Sequence, residues 1–235
     1  MSEILLILTT TVHVNWHKHF IFQSDSQERI NTYIKSIKQW LEKTKIRICV
    51  VENSGYTFPE LDDYKNIYAD RFEIITFNEA TLPENLIHLY YNRSKGAGEM
   101  YSIIHAFNNT KFREETKFVI KLTGRYFIDS FEEYLLFTNL YNRVKNVAID
   151  DDDNMVIGLR QNNENRCELM GIHVRLFHIL FELRLTNDDN MFHPHVEYVY
   201  KNRFKLLNQQ KMLVCPTFPI EPTQMGGGNL ITTEL

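Results

Sequence analysis

The stretch FVIKLTGRYF, Phe118–Phe127, begins like a buried strand and ends like something else. Phe118, Val119 and Ile120 are the aromatic and β-branched residues that pack well on a pleated surface. Lys121 and Arg125 do not serve that purpose, and Gly124 beside Arg125 marks a turn. A strand that carries cations to its own end is aimed at something anionic. Successive side chains alternate faces, so Lys121, Thr123 and Arg125 share one only if the chain stays extended through Gly124. A turn there sends Lys121 elsewhere. Structural ion pairs to Asp129 or Glu132 are the plainer alternative for both cations.

Working outward, the preceding segments alternate between two periodicities. Ile4–Leu8 is a continuous apolar run followed by Thr9, Thr10 and Thr11, which fits a strand buried on both faces. SQERINTYIKSIKQWLEKTK places Ile30, Tyr33, Ile34, Ile37, Trp40 and Leu41 at helical spacing, with Ser24, Asp25 and Ser26 as N-cap candidates. IRICVVENSG reads as a second strand ending in a turn at Asn53–Gly55, and FEIITFN as a third. GEMYSIIHAFNN reads as a helix opening just after the glycines of KGAGE. This alternation predicts an α/β fold: a mostly parallel, Rossmann-like sheet flanked by helices, with right-handed crossovers.

The second half is less regular. NVAIDDDDNMVIGLRQ suggests two strands joined by an acidic turn, and GIHVRLFHILFELRL a helix with Val174, Phe177, Leu180, Phe181 and Leu185 on one face. HVEYVYKNRFKLL suggests another helix, and KMLVCPTFPIEP a late strand running into a Pro-containing loop. The glycine-rich tail TQMGGGNLITTEL is either mobile or closes over a ligand. No linker or repeat divides the chain, so one domain over residues 1–235 is expected, with a nucleotide-binding half (1–128) and an acceptor-side half (129–235).

The bulk composition narrows the function classes. The 235 residues are 43% hydrophobic and 24% charged, with a net charge of -4, which suits a globular core and gives no basic surface for bulk nucleic-acid or membrane binding. No run is long enough to span a bilayer, and the N-terminus lacks the basic region and cleavage site of a signal peptide. Cys49, Cys167 and Cys215 are odd in number and lack metal-ligand spacing, as expected of reduced thiols in a soluble, cytoplasmic protein.

In open parallel sheets ligands bind beyond the C-terminal strand ends. Those ends carry Thr9–Val12, Glu52–Gly55 and Lys121–Arg125, and NRSKGAGEM adds Lys95, Gly96 and Gly98 at a helix start, where backbone N–H groups favour phosphate. The loop is neither a P-loop nor a GxGxxG fingerprint, and an ordinary loop is its plain alternative. Glu52 and Asn53 are candidate nucleoside contacts, with hydroxyls from Thr9 and Thr11 beside them.

Taken in order, LLILTTTV, ICVVENSG, NRSKGAGEMYSIIHAF and FVIKLTGRYF resemble the successive segments of the nucleotide-diphosphate-sugar glycosyltransferases of GT-A fold, above all their inverting family. CELMGIHVRLFHIL and PHVEYVYKNRF resemble that family's acceptor-side segments. The resemblance implies a GT-A-like fold, a nucleotide-diphosphate-sugar donor and a glycan or other hydroxyl acceptor. It also implies a catalytic base at Glu197 or His195. Where the family carries a metal-binding D-x-D, this chain has Thr123 and Arg125, a poor ligand and a non-ligand. Mn²⁺ or Mg²⁺ therefore stays open as a cofactor, with no metal residue assigned. Arg125 and Lys121, with Lys95, are expected to hold the diphosphate in the metal's place. Asp150–Asp153 is an acidic cluster that reads more simply as a solvated turn, with Asp152 its best metal ligand. His13, His17 and His19 lack the carboxylate of a zinc helix motif and read as a polar loop. Two rival functions stay open, a nucleotidyltransferase and a non-catalytic nucleotide-sugar or glycan-binding module.

Overall fold

A computed structural model of the chain describes residues 3–19, 21–145, 154–163, 165–183, 195–226 and 228–235. Among these, the first half runs β1 (Ile4–Thr10), α1 (Ser26–Lys43), β2 (Arg47–Glu52), α2 (Asp62–Ile67), β3 (Phe72–Thr76), α3 (His88–Tyr91), α4 (Lys95–Asn109) and β4 (Phe118–Thr123). The second half runs α5 (Phe131–Phe137), α6 (Leu140–Arg143), β5 (Gly158–Arg160), β6 (Leu169–His173), α7 (Phe177–Leu180), α8 (Val196–Phe204), β7 (Met212–Val214), β8 (Pro219–Gln224) and β9 (Ile231–Glu234).

Seven strands form one sheet in the order β3-β2-β1-β4-β6-β5-β7, and β8 pairs with β9 in a separate hairpin. β1 is parallel to both β2 and β4, β2 is parallel to β3, and β6 runs antiparallel to β4 and β5. The mostly parallel sheet flanked by helices is the architecture the sequence predicts, and β4–β6 pairing makes the sheet continuous across the two halves of the chain. Strand alternation sorts the core into two layers. Ile4, Leu6 and Leu8 of β1 pack with Tyr33, Ile37 and Trp40 of α1, while Leu5 and Ile7 pack with Met100, Ile103 and Phe107 of α4. Both faces of β1 are therefore covered, which is why its sequence is continuously apolar.

The chain leaves β1 toward β2 on one side and reaches β4 on the other. The crevice beyond the C-terminal ends of β1 and β4 is thus the topological switch point. Gly124 is required there by a close crossing. Its N–H donates to the Thr9 carbonyl at 2.9 Å, and a Cβ would lie 2.7 Å from Thr10 Cγ2. The fully buried Trp40 donates its indole N–H to the Tyr126 carbonyl at 2.9 Å, fixing the segment that carries Arg125.

Two segments differ from expectation, and a third is described only in part. Over its described residues, 171–183, GIHVRLFHILFELRL is a strand end followed by short helical turns, because Leu169–His173 completes the sheet against β4 and Phe177–Leu180 alone of these is α-helical; Leu185 lies outside the described residues. Of NVAIDDDDNMVIGLRQ, Gly158–Arg160 is a strand as expected, whereas residues 146–153, the first expected strand and the acidic turn with Asp152, lie outside the described residues. Gly96 and Gly98 lie inside the first turn of α4 rather than before it. Among the described residues no helix is long and apolar enough to cross a membrane.

Candidate functional site

A cavity of about 860 Å³ opens at the switch point. Its wall includes Thr9, Thr11, Asn53, Lys95, Gly96, Thr123, Arg125, His195 and Glu197, so one space gathers most of the residues singled out in the sequence. Elements from both halves of the chain contribute: the ends of β1, β2 and β4, the first turns of α4 and α8, and the β8–β9 turn.

Cations dominate one part of the wall. Arg125 is 9% exposed; its Nη1 donates to the Gln224 carbonyl at 3.2 Å, and its buried Nε has no hydrogen-bond partner. Arg29, one turn into α1, donates to the Gln23 carbonyl at 2.8 Å and to the Tyr33 hydroxyl at 2.9 Å. Among the described residues neither guanidinium is paired with a carboxylate. Lys95 Nζ donates to the Gly226 carbonyl at 3.1 Å. Burial lowers the pKa of Arg29 and of Lys95, and in each case the Arg125 charge lowers it further. Three cations therefore share a poorly solvated space, an arrangement chemically suited to an anion.

Lys121 takes no direct part. It is fully buried, pairing with Glu99 at 2.8 Å and donating to the Cys167 carbonyl at 2.7 Å. Burial pushes its pKa down, but Glu99 holds it above the ordinary lysine value. Neither Asp129 nor Glu132 is its partner: Asp129 meets Lys43, and Glu132 accepts from the backbone N–H of Lys45. Glu99 is itself on the cavity wall, where it also accepts from the Thr9 hydroxyl at 2.9 Å.

Glu52 lies behind the wall rather than on it. Fully buried, its carboxylate accepts from the backbone N–H groups of Val12, Ser54 and Tyr56 at 2.8, 2.9 and 2.8 Å, and from the Ser54 hydroxyl. It organises the loops after β1 and β2. Asn53 reaches the cavity instead, accepting from the Thr11 hydroxyl at 2.6 Å and donating to Glu79 at 2.7 Å. Glu79 is paired with Lys18 at 3.1 Å, yet burial still raises its pKa. Gly98 is buried and off the cavity wall; a Cβ there would lie 2.2 Å from Oε1 of Glu79, which is on it.

Beside the start of α4, Glu197 stands in the first turn of α8, half-buried, with the Cys167 thiol 3.7 Å from its Oε1. His195, the N-cap residue, is exposed and also lines the cavity. Met225, Gly226 and Leu230 of the glycine-rich tail form part of the wall. Arg29, Glu79 and Glu99 escaped the sequence reading. Arg29 and Glu99 each sit inside a good helical pattern, where a charged residue reads as solvated surface; only their faces distinguish them.

The residues at the D-x-D position do not fit a divalent cation, because Thr123 offers one neutral hydroxyl and Arg125 only donors. Among the described residues no three His, Cys, Asp or Glu side chains come together as a metal site.

No family model and no curated protein is matched by the sequence. Three solved structures are similar at low identity. A candidate nucleotide-diphospho-sugar transferase from Desulfovibrio desulfuricans G20 shares 12% identity at a TM-score of 0.46, over 92% of this chain and 80% of that one. A glycosyltransferase involved in glycosylation of the major capsid of PBCV-1 shares 12% at 0.41, over 91% and 81%. A cytidylyltransferase from Leptospira borgpetersenii serovar Hardjo-bovis shares 11% at 0.42, over 91% and 76%.

Proposed function

We propose that the protein transfers a sugar from a nucleoside-diphosphate-sugar donor to a hydroxyl of a glycan or other acceptor, using side-chain cations where the glycosyltransferases that the sequence resembles carry a metal-binding D-x-D. The observation that carries this reading is the meeting of Arg29, Lys95 and Arg125 at the switch-point cavity, with the Glu197 carboxylate on the same wall. The cations suit a diphosphate, and the start of α4 adds backbone N–H groups and the positive end of a helix dipole. Thr9, Thr11 and Asn53 line the nucleoside side. The three buried thiols, none in a disulfide, suit a cytoplasmic setting.

In the reaction, the acceptor oxygen forms a bond to the anomeric carbon as the bond from that carbon to the diphosphate oxygen breaks. The bonding pair leaves with the diphosphate, where Arg125, Lys95 and Arg29 stabilise the added charge. Glu197 takes the acceptor proton, with His195 the second group within the same wall. Attack from the face opposite the leaving group gives inversion.

Calorimetric titration with nucleoside diphosphates and their sugar conjugates, in EDTA and in Mn²⁺, tests this reading. Chelator-resistant binding that Arg125→Ala abolishes supports it. Metal-dependent binding indifferent to Arg125 puts a metal on other carboxylates, Asp152 first. Donor binding without turnover across varied acceptors favours the binding-module reading, and no binding of any nucleotide overturns the proposal.

A further inference from the structure

Glu99 is a carboxylate on the wall of the cavity where Arg29, Lys95 and Arg125 suit an anion, and it is held there by a lysine with no exposure of its own. Lys121 donates to Glu99 at 2.8 Å, to the Cys167 carbonyl at 2.7 Å and to the Thr123 hydroxyl at 3.3 Å. Both the Lys121 contact and the Thr9 hydroxyl contact fall on the same oxygen, Glu99 Oε1. No hydrogen bond to Oε2 is found among the described residues, while the Glu99 side chain keeps 22% exposure. The second oxygen is therefore an available acceptor on the cavity side. Its position is bracketed: Lys95 lies one helical turn earlier on α4, and the backbone of Cys167, whose thiol meets Glu197, accepts from the same lysine. Glu99 is thus a neighbour both of Lys95, among the cations suited to a diphosphate, and, through Cys167, of the carboxylate suited to an acceptor proton.

We infer that Glu99 is the specificity-determining residue for the donor sugar, accepting hydrogen bonds from the hydroxyls of a hexose through its cavity-side oxygen. The inference rests on the glycosyltransferase reading. Its physical logic is charge balance: Lys121 cancels the Glu99 charge from below, so the carboxylate does not repel the diphosphate yet keeps the acceptor strength of an ion. A cavity meant for diphosphate alone has no use for this arrangement, because an anionic oxygen at its floor weakens phosphate binding. A buried lysine spent on holding one carboxylate makes sense when that carboxylate must stay ionised and fixed for a neutral polyol.

The test compares UDP with UDP-glucose, and GDP with GDP-mannose, by calorimetry on wild type, Glu99→Gln and the double variant Glu99→Gln/Lys121→Met. The double variant removes the orphaned buried ammonium, so it separates a folding defect from loss of a ligand contact. For the pair that wild type binds, the sugar conjugate is expected to bind about tenfold tighter than the bare diphosphate, as charge-assisted hydrogen bonds imply. Both variants are expected to erase that gain while binding the bare diphosphate at least as well as wild type. A donor lacking the contacted hydroxyl should bind wild type and the double variant equally. A variant that keeps the sugar preference, or a wild type that shows none, overturns the inference while the diphosphate site stands. Unchanged sugar-nucleotide binding with turnover lost also overturns it and makes Glu99 the base. Failure of wild type to bind either diphosphate overturns the glycosyltransferase reading, and this inference with it.

Discussion

Arg125 concentrates the chemistry of the site because its surroundings leave it underused. Its Nε is buried with no hydrogen-bond partner and its Nη1 meets only a backbone carbonyl, so the guanidinium keeps donors in the planar arrangement that matches a phosphate edge. Arg125→Ala is expected to weaken nucleoside diphosphate binding roughly tenfold to a hundredfold, the range for hydrogen bonds to charged groups. Arg125→Lys should recover only part of that loss, since an ammonium keeps the charge and loses the fork. Calorimetry on both variants reads the difference, and equal affinities for Lys and Arg would reduce the residue to a point charge. Glu52 makes the opposite case, a charged group fully engaged by its own chain. Replacing it with glutamine turns an amide N–H₂ toward backbone donors that now have a carboxylate oxygen, at a cost of about 2 kcal/mol or more. Urea unfolding should register that loss. A Glu52→Gln protein of unchanged stability that no longer binds nucleotide would instead restore Glu52 as a direct nucleoside contact.

At the level of elements, the strands were legible and the joints were not. β1, β2 and β4 announce themselves because both of their faces are buried and each carries a continuous apolar run, Ile4–Leu8, Ile48–Val51 and Phe118–Ile120. β6 was hidden because HVRLFHIL, which overlaps and follows it, satisfies helical spacing; the deciding fact is a long-range pairing, Ile120 opposite Gly171, that no local pattern encodes. Likewise, the glycines of KGAGE read as a phosphate loop, yet Gly96 is set by tertiary packing, its missing Cβ lying 2.2 Å from Val196 Cβ. Gly96→Ala should therefore push α4 from α8 and cost about 1–3 kcal/mol, as overpacking does, even though alanine is the better helix former. A stabilised variant would contradict that packing. His173 supplies the pH dependence of one joint. Its Nδ1 accepts from the Arg175 N–H at 3.3 Å where β6 gives way to a helical turn, and burial lowers its pKa to about 4. Between that value and the ordinary histidine pKa of about 6.5, the unfolded chain binds a proton that the folded chain refuses. Its contribution to stability is accordingly complete above pH ~6.5 and is lost as pH falls toward about 4. His173→Asn keeps a capping acceptor without titrating, so its urea midpoint should vary less with pH across this window than that of wild type.

Across the whole molecule, net charge and local field have opposite signs. The chain carries -4 overall, while Arg29, Lys95 and Arg125 meet at one cavity, so net charge says nothing about a local basic site. The convergence is assembled from distant sequence: Arg29 from α1, Lys95 from α4, Arg125 after β4 and, over them, carbonyls of the tail at Gln224 and Gly226. Gly226 lies so close to Arg125 that a Cβ would stand 2.6 Å from Nη2, which ties the hairpin to the guanidinium. The cavity brings Arg29, Lys95 and Arg125 together, and a bound anion that neutralises them should add stability. For a nucleoside diphosphate present at about a hundredfold above its Kd, linkage gives about 2.7 kcal/mol. In a chain of 235 residues this corresponds to a rise in Tm of roughly 5–10 °C. Thermal unfolding in EDTA across a diphosphate titration measures it directly. Because the ligand neutralises side-chain cations rather than joining a metal, the rise should persist in chelator and shrink with added salt, which screens the cavity before the anion arrives. Arg125→Ala is expected to show a smaller rise at the same ligand concentration, even if its ligand-free Tm is higher for having one repelling charge fewer. A rise that appears only with Mn²⁺, or one that Arg125→Ala leaves intact, would mean that the cavity's cations do not hold the diphosphate.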